Sequence, residues 1–150
     1  MDEIDFAILE YLSKDSRMHS TDIASNLGLA TSTVHKRIEK MRDSGTIKEF
    51  TVTIDPASVG LNITTYIGIN IDHSKRINVI NKLKLIHDIL EINELLEPYD
   101  LLIKVRTFDI HSLKENVLHV LNNLDGVLDS SSILTTKCHK EKACNILKRQ

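Results

Sequence analysis

The stretch TDIASNLGLATSTVHKRIEKM, Thr21–Met41, decides how the chain is read. Ser20 or Thr21 caps a short helix carrying Ile23, Ala24 and Leu27, and Gly28 ends it by taking the left-handed conformation of a tight turn. Thr31 then caps a second helix that runs to about Ser44, where Gly45 stops it. Two helices, 20–27 and 31–44, joined by three residues beginning with glycine, have helix–turn–helix spacing. Ala24 is small where the two helices cross, and Leu29 and Val34 close the corner.

Within the second helix, Val34, Ile38 and Met41 fall at i, i+4 and i+7 and form one narrow core-facing stripe. At ~100° per residue the opposite face collects Ser32, Thr33, Lys36 and Lys40. Arg37 and Arg42 flank the stripe, and His35 sits on its shoulder. Hydroxyls and free amides at a helix start suit phosphates or base edges, and cations one and two turns later suit a charged groove. A solvated surface helix has the same composition. The preceding short helix and glycine turn favour the nucleic-acid reading, because they present that outer face.

The surroundings make any such surface local. The 150 residues carry a net charge of −2, and the first 60 hold 7 Lys and Arg against 10 Asp and Glu. The composition, 41% apolar and 27% charged, is that of a soluble globular chain of one domain or two small ones. No apolar run approaches the ~20 residues of a membrane span, and MDEIDFAILEYL at the start lacks the features of a secretory signal. Two cysteines, Cys138 and Cys144, make no disulfide framework, so the cytoplasm is the expected location.

Outward from the opening stretch the grammar changes. Upstream, Ile4, Ile8, Tyr11 and Leu12 mark a first helix. Downstream, IKEFTVTID (Ile47–Asp55) alternates as an extended segment or short hairpin arm, and DPASVG has linker chemistry. From Leu61 a second domain begins. Ile63, Thr65, Ile67, Ile69 and Ile71 alternate with polar residues on a first strand. Ser74 caps a helix with Val79, Ile80, Leu83 and Ile86 inward, ILEINELL is a second strand and LLIKVRTF a third. Asp109 opens a helix with Ile110, Leu113, Val117, Leu121 and Leu124 inward, Gly126 closes it, and VLDSSSILTTK is the fourth strand. The order predicts an α+β fold: a helical N-terminal domain and a ferredoxin-like βαββαβ sandwich with both helices on one face of an antiparallel sheet. The apolar and small residues on the other face call for a partner subunit. The tail KCHKEKACNILKRQ reads as a short amphipathic or frayed segment.

Three segments carry a family resemblance: DEIDFAILEYLSKDSR, DIASNLGLATSTVHKRIEKMRDSGTIKEFTVTIDPASVG and YDLLIKVRTFDIHSL, in family order over nearly the full length. The chain resembles the Lrp/AsnC, or feast/famine, transcription regulators of archaea and bacteria. That resemblance implies a winged helix–turn–helix over residues 1–52, a hinge over 53–61, and an αβ-sandwich over 62–150 that dimerises and binds amino-acid effectors. It implies dimers that join into tetramers or octamers and bind double-stranded DNA at pseudo-palindromic operators. The recognition helix then supplies Thr31, Ser32, Thr33, His35, Lys36, Arg37 and Lys40 as DNA contacts. The family's effector pocket lies at contacts between dimers near the turn before the third strand, here EPYDLL, which implicates Pro98, Tyr99, Asp100, Leu101 and Leu102. Many relatives carry Gly-Asp at this turn, where this chain has Tyr-Asp.

Leu118 and Asn122 lie together off the apolar stripe of their helix and suggest an interface or pocket. Ile133, Leu134 and Thr135 on the fourth strand are expected to approach the same turn. An amino acid needs donors for its carboxylate and acceptors for its ammonium. Turn amides, the Asp100 carboxylate and the Thr135 hydroxyl supply both kinds. An enzyme is disfavoured: the chain has no G-x-S-x-G, no phosphate-binding glycine loop and no H-E-x-x-H. No cofactor or metal is expected, and Cys138, His139 and Cys144 alone leave a tetrahedral site incomplete. The competing reading is an amino-acid sensor that acts on a protein partner without DNA.

Overall fold

The computed structural model describes residues 1–141. Two compact units emerge, one built on Met1–Thr53 and the other on Ile54–His139. The stretch expected as a hinge therefore belongs with the second unit from Ile54 onward. There Asp55 caps a 3₁₀ turn, Pro56–Val59, and the Leu61 amide donates to the Pro56 carbonyl at 2.9 Å. Lys140 and Glu141, placed with the sandwich on sequence grounds, group with the first unit. The rest of the tail, Cys144 included, lies outside the described residues.

The first unit is three helices around one small core. Helix α1 (Glu3–Lys14) starts at Asp2, whose carboxylate accepts from the Asp5 amide while the Asp5 carboxylate accepts from the Asp2 amide. This reciprocal capping box satisfies two amides at the helix start. Helix α2 (Ser20–Leu27) and helix α3 (Thr31–Asp43) begin differently from expectation. Their caps are His19 and Ala30, and neither uses a side chain. The carbonyls of His19 and Ala30 take the first intrahelical bonds instead, so Ser20 and Thr31 are the first helical residues. Gly28 does end α2 in the left-handed region, at φ 65°, and the Leu29 amide returns to the Ala24 carbonyl at 2.9 Å. Ile8, Leu12, Ile23, Ala24, Val34, Met41 and Ile47 form the buried core. Residues 48–55 form no strand among the described residues, because a β-ladder needs a partner and none pairs with them. Phe50, Val52 and Ile54 are left exposed.

The second unit is a four-stranded antiparallel sheet of β1 (Ile63–Ile71), β2 (Ile89–Glu94), β3 (Leu101–Thr107) and β4 (Val127–Leu134) in the order β2-β3-β1-β4. That is the ferredoxin-like arrangement. Helix α4 (Arg76–Leu83) and helix α5 (110–122) cover one face, where Ile67, Ile69, Ile71, Leu101, Ile103 and Val105 meet Val79, Leu83, Leu113, Val117 and Leu121.

Three details depart from the periodic reading. Asp72, not Ser74, supplies the capping side chain: its carboxylate accepts from both the amide and the hydroxyl of Ser74. It caps the 3₁₀ turn His73–Lys75 that leads into α4, whose own cap, Lys75, uses no side chain. Ile110 is exposed at the start of α5 rather than facing inward. The middle of α5, Lys114–Leu118, winds as a π-helix between α-helical Ile110–Leu113 and His119–Asn122. Leu113, Val117 and Leu121 recur every four residues, which would drift ~40° per step in a 3.6-residue helix. The wider π-turn takes up part of that drift.

The caps make the fold acid-sensitive. Bonds from the Asp5 amide and the Arg37 guanidinium lower the Asp2 carboxyl below the ordinary 3.8, and bonds from Ser74 and Ser112 do the same for Asp72 and Asp109. Because these folded values are depressed, the capping contribution is complete above pH 3.8 and is lost as pH falls through the lowered values. Asp109→Asn keeps a capping side chain but cannot titrate. Circular dichroism melts should show a smaller loss of thermal stability below pH 3.8 in this variant than in the parent.

Candidate nucleic-acid interface and effector turn

The face of α3 follows from what its other face buries. Val34 and Met41 are 0% and 3% exposed, which fixes the rotation of the helix. Thr31, Ser32, His35, Lys36 and Lys40 are then exposed and Thr33 half-buried. Since Thr31 and Ser32 cap nothing, their hydroxyls stay available at the helix start. Thr33, Lys36 and Lys40 line one shallow groove.

Two expected contacts are already engaged within the chain. Arg37 Nη1 lies 2.8 and 2.9 Å from the two Asp2 carboxylate oxygens and 2.7 Å from Asp5 Oδ1. Its side chain is 27% exposed, and the two carboxylates hold the guanidinium above its ordinary pKa, Asp5 contributing most. His35 Nε2 lies 3.5 Å from Glu39 Oε1 one turn on. Arg37 is thus a clamp between α1 and α3, reached by no periodicity argument because its partners stand 35 and 32 positions away. The D-x-x-D spacing of Asp2 and Asp5 is the one local signal that carboxylates gather at that helix start.

The turn before β3 is tied to β1. Asp100 donates its amide to the Ile69 carbonyl at 3.1 Å, its Oδ2 accepts from the Ile71 amide at 2.8 Å, and its carbonyl accepts from Leu95 at 2.9 Å. His73 Nε2 stands 3.5 Å from its other carboxylate oxygen. One of the two oxygens expected for an effector ammonium is therefore committed to the fold. Tyr99 lies on the sheet face away from the helices, over Gly68, where an added Cβ would come within 2.2 Å of the ring. Only a residue without a side chain lets the ring settle there.

Residues 1–48 match the winged helix-turn-helix DNA-binding family and residues 64–143 the Lrp/AsnC ligand binding domain. The regulator FL11 of Pyrococcus furiosus is 36% identical over 141 residues, covering 94% of this chain and 93% of its own. The chain belongs to the Lrp/AsnC family of transcription regulators. The regulatory protein AsnC of Haemophilus influenzae is 31% identical, over 90% of this chain and 91% of its own. Among solved structures, a Neisseria meningitidis transcriptional regulator in complex with L-Met superposes with a TM-score of 0.88 at 22% identity, covering 99% of this chain and 96% of that one.

Within one Lrp/AsnC chain the residues expected around an effector do not all lie together. Leu101 is fully buried, because it pairs with core-facing Ile69 and so points inward, leaving Leu102 on the other face. Leu118 packs on the core from the helix side, opposite Tyr99, and Asn122 is exposed one turn later. Ile133 and Leu134 pair with Tyr66 and Thr65, and Thr135 bonds to Thr64. Asp100 bonds to Ile69, five residues along β1 from Thr64, so Thr135 stands about 17 Å away at ~3.4 Å per residue. Ile133, in contrast, pairs two residues from Gly68, on the sheet face that Tyr99 covers. Pro98, Tyr99 and Asp100 remain together on the turn, and Leu102 follows on β3, paired with Gly68. Cys138 is an exposed free thiol, and among the described residues no group of three or more His, Cys, Asp or Glu is arranged to hold a metal.

The Tyr99–Gly68 contact predicts a coupled pair. Gly68→Ala should destabilise the chain by about 1–3 kcal/mol through forced displacement of the ring. Combining it with Tyr99→Ala should cost less than the sum of the two single changes. Urea denaturation of the four species measures this, and strict additivity would refute the contact.

Proposed function

We propose that this Lrp/AsnC protein binds operator DNA through the outer face of α3 and that a free amino acid, bound in the sandwich unit, adjusts that grip. One observation carries the DNA half. Burial of Val34 and Met41 leaves Thr33, Lys36 and Lys40 facing outward on the second helix of a helix–turn–helix. Thr31, Ser32 and Thr33 suit phosphate or base edges at the helix start, and Lys36 and Lys40 supply charge one and two turns later. His35 joins them after rotating away from Glu39.

The turn Pro98–Leu102 is the proposed floor of the effector site. Leu118, Asn122, Leu134 and Thr135, which one chain holds on the other face or farther along β1, reach it from another protomer, while Ile133 shares the outer sheet face with Tyr99. The L-Met bound to the structurally similar Neisseria regulator supports a free amino acid as ligand. The exposed Phe50, Val52 and Ile54 and the outer sheet face support self-association, first as a dimer and then as tetramers or octamers. Linkage then works through geometry. An amino acid between dimers favours one assembly, which changes how many DNA-binding units engage one operator. The activity is regulatory rather than catalytic, and its setting is the cytoplasm.

Two measurements test this reading. Fluorescence anisotropy with a duplex from upstream of the protein's own reading frame should give salt-sensitive binding. Lys36→Ala and Lys40→Ala should each lower the slope of log affinity against log salt by ~0.9. Salt-insensitive or absent binding would favour the protein-partner sensor. A thermal-shift screen of the twenty amino acids should raise the melting temperature for a small subset. A flat response across all of them would refute the effector half.

A further inference from the structure

The N-terminus of α1 reaches the same groove as the cations of α3. Asp2 and Asp5 share its lining with Thr33, Lys36 and Lys40, and Arg37 lies between the two sets. Asp2 stays 54% exposed while both of its carboxylate oxygens contact Arg37 Nη1, and Asp5 is 15% exposed. Each carboxylate also accepts a backbone amide of the capping box, so neither moves without loosening the start of α1. A phosphate that recruited Arg37 would have to displace two charged acceptors while itself approaching the Asp2 charge.

We propose that Asp2 and Asp5 hold Arg37 off the nucleic acid and thereby limit the sequence-independent grip of the α3 face. The three residues act as positioning and selectivity-determining groups. They remove one phosphate-seeking cation from a face that keeps Lys36 and Lys40, so a larger share of affinity must come from base edges and from matching sites. The proposal rests on the DNA-binding reading given above. The raised guanidinium and the lowered Asp2 carboxyl agree with a pair that stays charged.

The test uses the full chain, mixed-sequence duplex DNA and a salt series. In the parent, Arg37→Ala should leave the slope of log affinity against log salt unchanged, because Arg37 touches no phosphate. Asp2→Asn with Asp5→Asn should free the guanidinium and steepen the slope by ~0.9. The affinity lost over a fourfold rise in salt then grows roughly three- to fourfold. Adding Arg37→Ala to that pair should restore the parental slope. Asp2→Asn alone, at the more exposed acid, should give an intermediate slope and keeps the test open if the double change unfolds α1. A drop of ~0.9 on Arg37→Ala alone, or an unchanged slope in the neutralised variants, overturns the proposal while leaving DNA binding intact. Absence of salt-sensitive binding by the parent overturns the DNA reading and this proposal together.

Discussion

Burial of Val34 and Met41 against Ile8, Ile23 and Ala24 is the constraint from which the functional reading of this chain follows. A helix anchored at two points one and a half to two turns apart has a single rotational phase. That phase decides which of its mixed side chains meet solvent. Ala24 matters for the same reason, since a larger side chain at the α2–α3 crossing would push the helices apart. The glycine turn at 28 sets the direction in which α3 leaves α2. With phase and direction set, the hydroxyls at the start of α3 and its two lysines have nowhere to point but outward.

Electrostatics then sharpens the outer face. The chain carries a net charge of −2, so a nucleic-acid surface exists only where cations are spared from intramolecular pairing. Among the described residues Lys36 and Lys40 have no ion-pair partner, whereas Arg37 is bound by two N-terminal carboxylates. The capping box that starts α1 thus also edits the charge of α3. In the other unit Asp100 has a comparable double duty. It closes the turn onto Ile71 and leaves one oxygen beside His73 on the rim of the candidate effector turn.

Much of this was legible in the residues themselves. The stripe Val34, Ile38 and Met41 and the alternation Ile63 to Ile71 each follow one repeat period, so burial tracks sequence directly. Gly28, Gly45, Gly60 and Gly126 all take positive φ at the turns their neighbours imply. What the residues do not encode locally has a different cause. The Asp2 and Asp5 partners of Arg37 stand 35 and 32 positions away. The inward face of Leu101 depends on its register against Ile69, which only the pairing reveals. Ser20, Thr31 and Ser74 looked like caps, but backbone carbonyls or a neighbouring aspartate filled that role. The separation of Leu118 and Thr135 from Tyr99 is likewise a property of topology, which no local pattern encodes.

On the proposed reading, DNA lies against the outer face of α3 and nowhere on the sandwich core. Amide hydrogen exchange of the full chain, with and without duplex DNA, addresses it directly. Slowed exchange is expected at the start of α3, at the Thr31 and Ser32 amides, which precede the first intrahelical bond to the Ala30 carbonyl, with β3 unchanged. Protection confined to the sandwich, or none on α3, would contradict it.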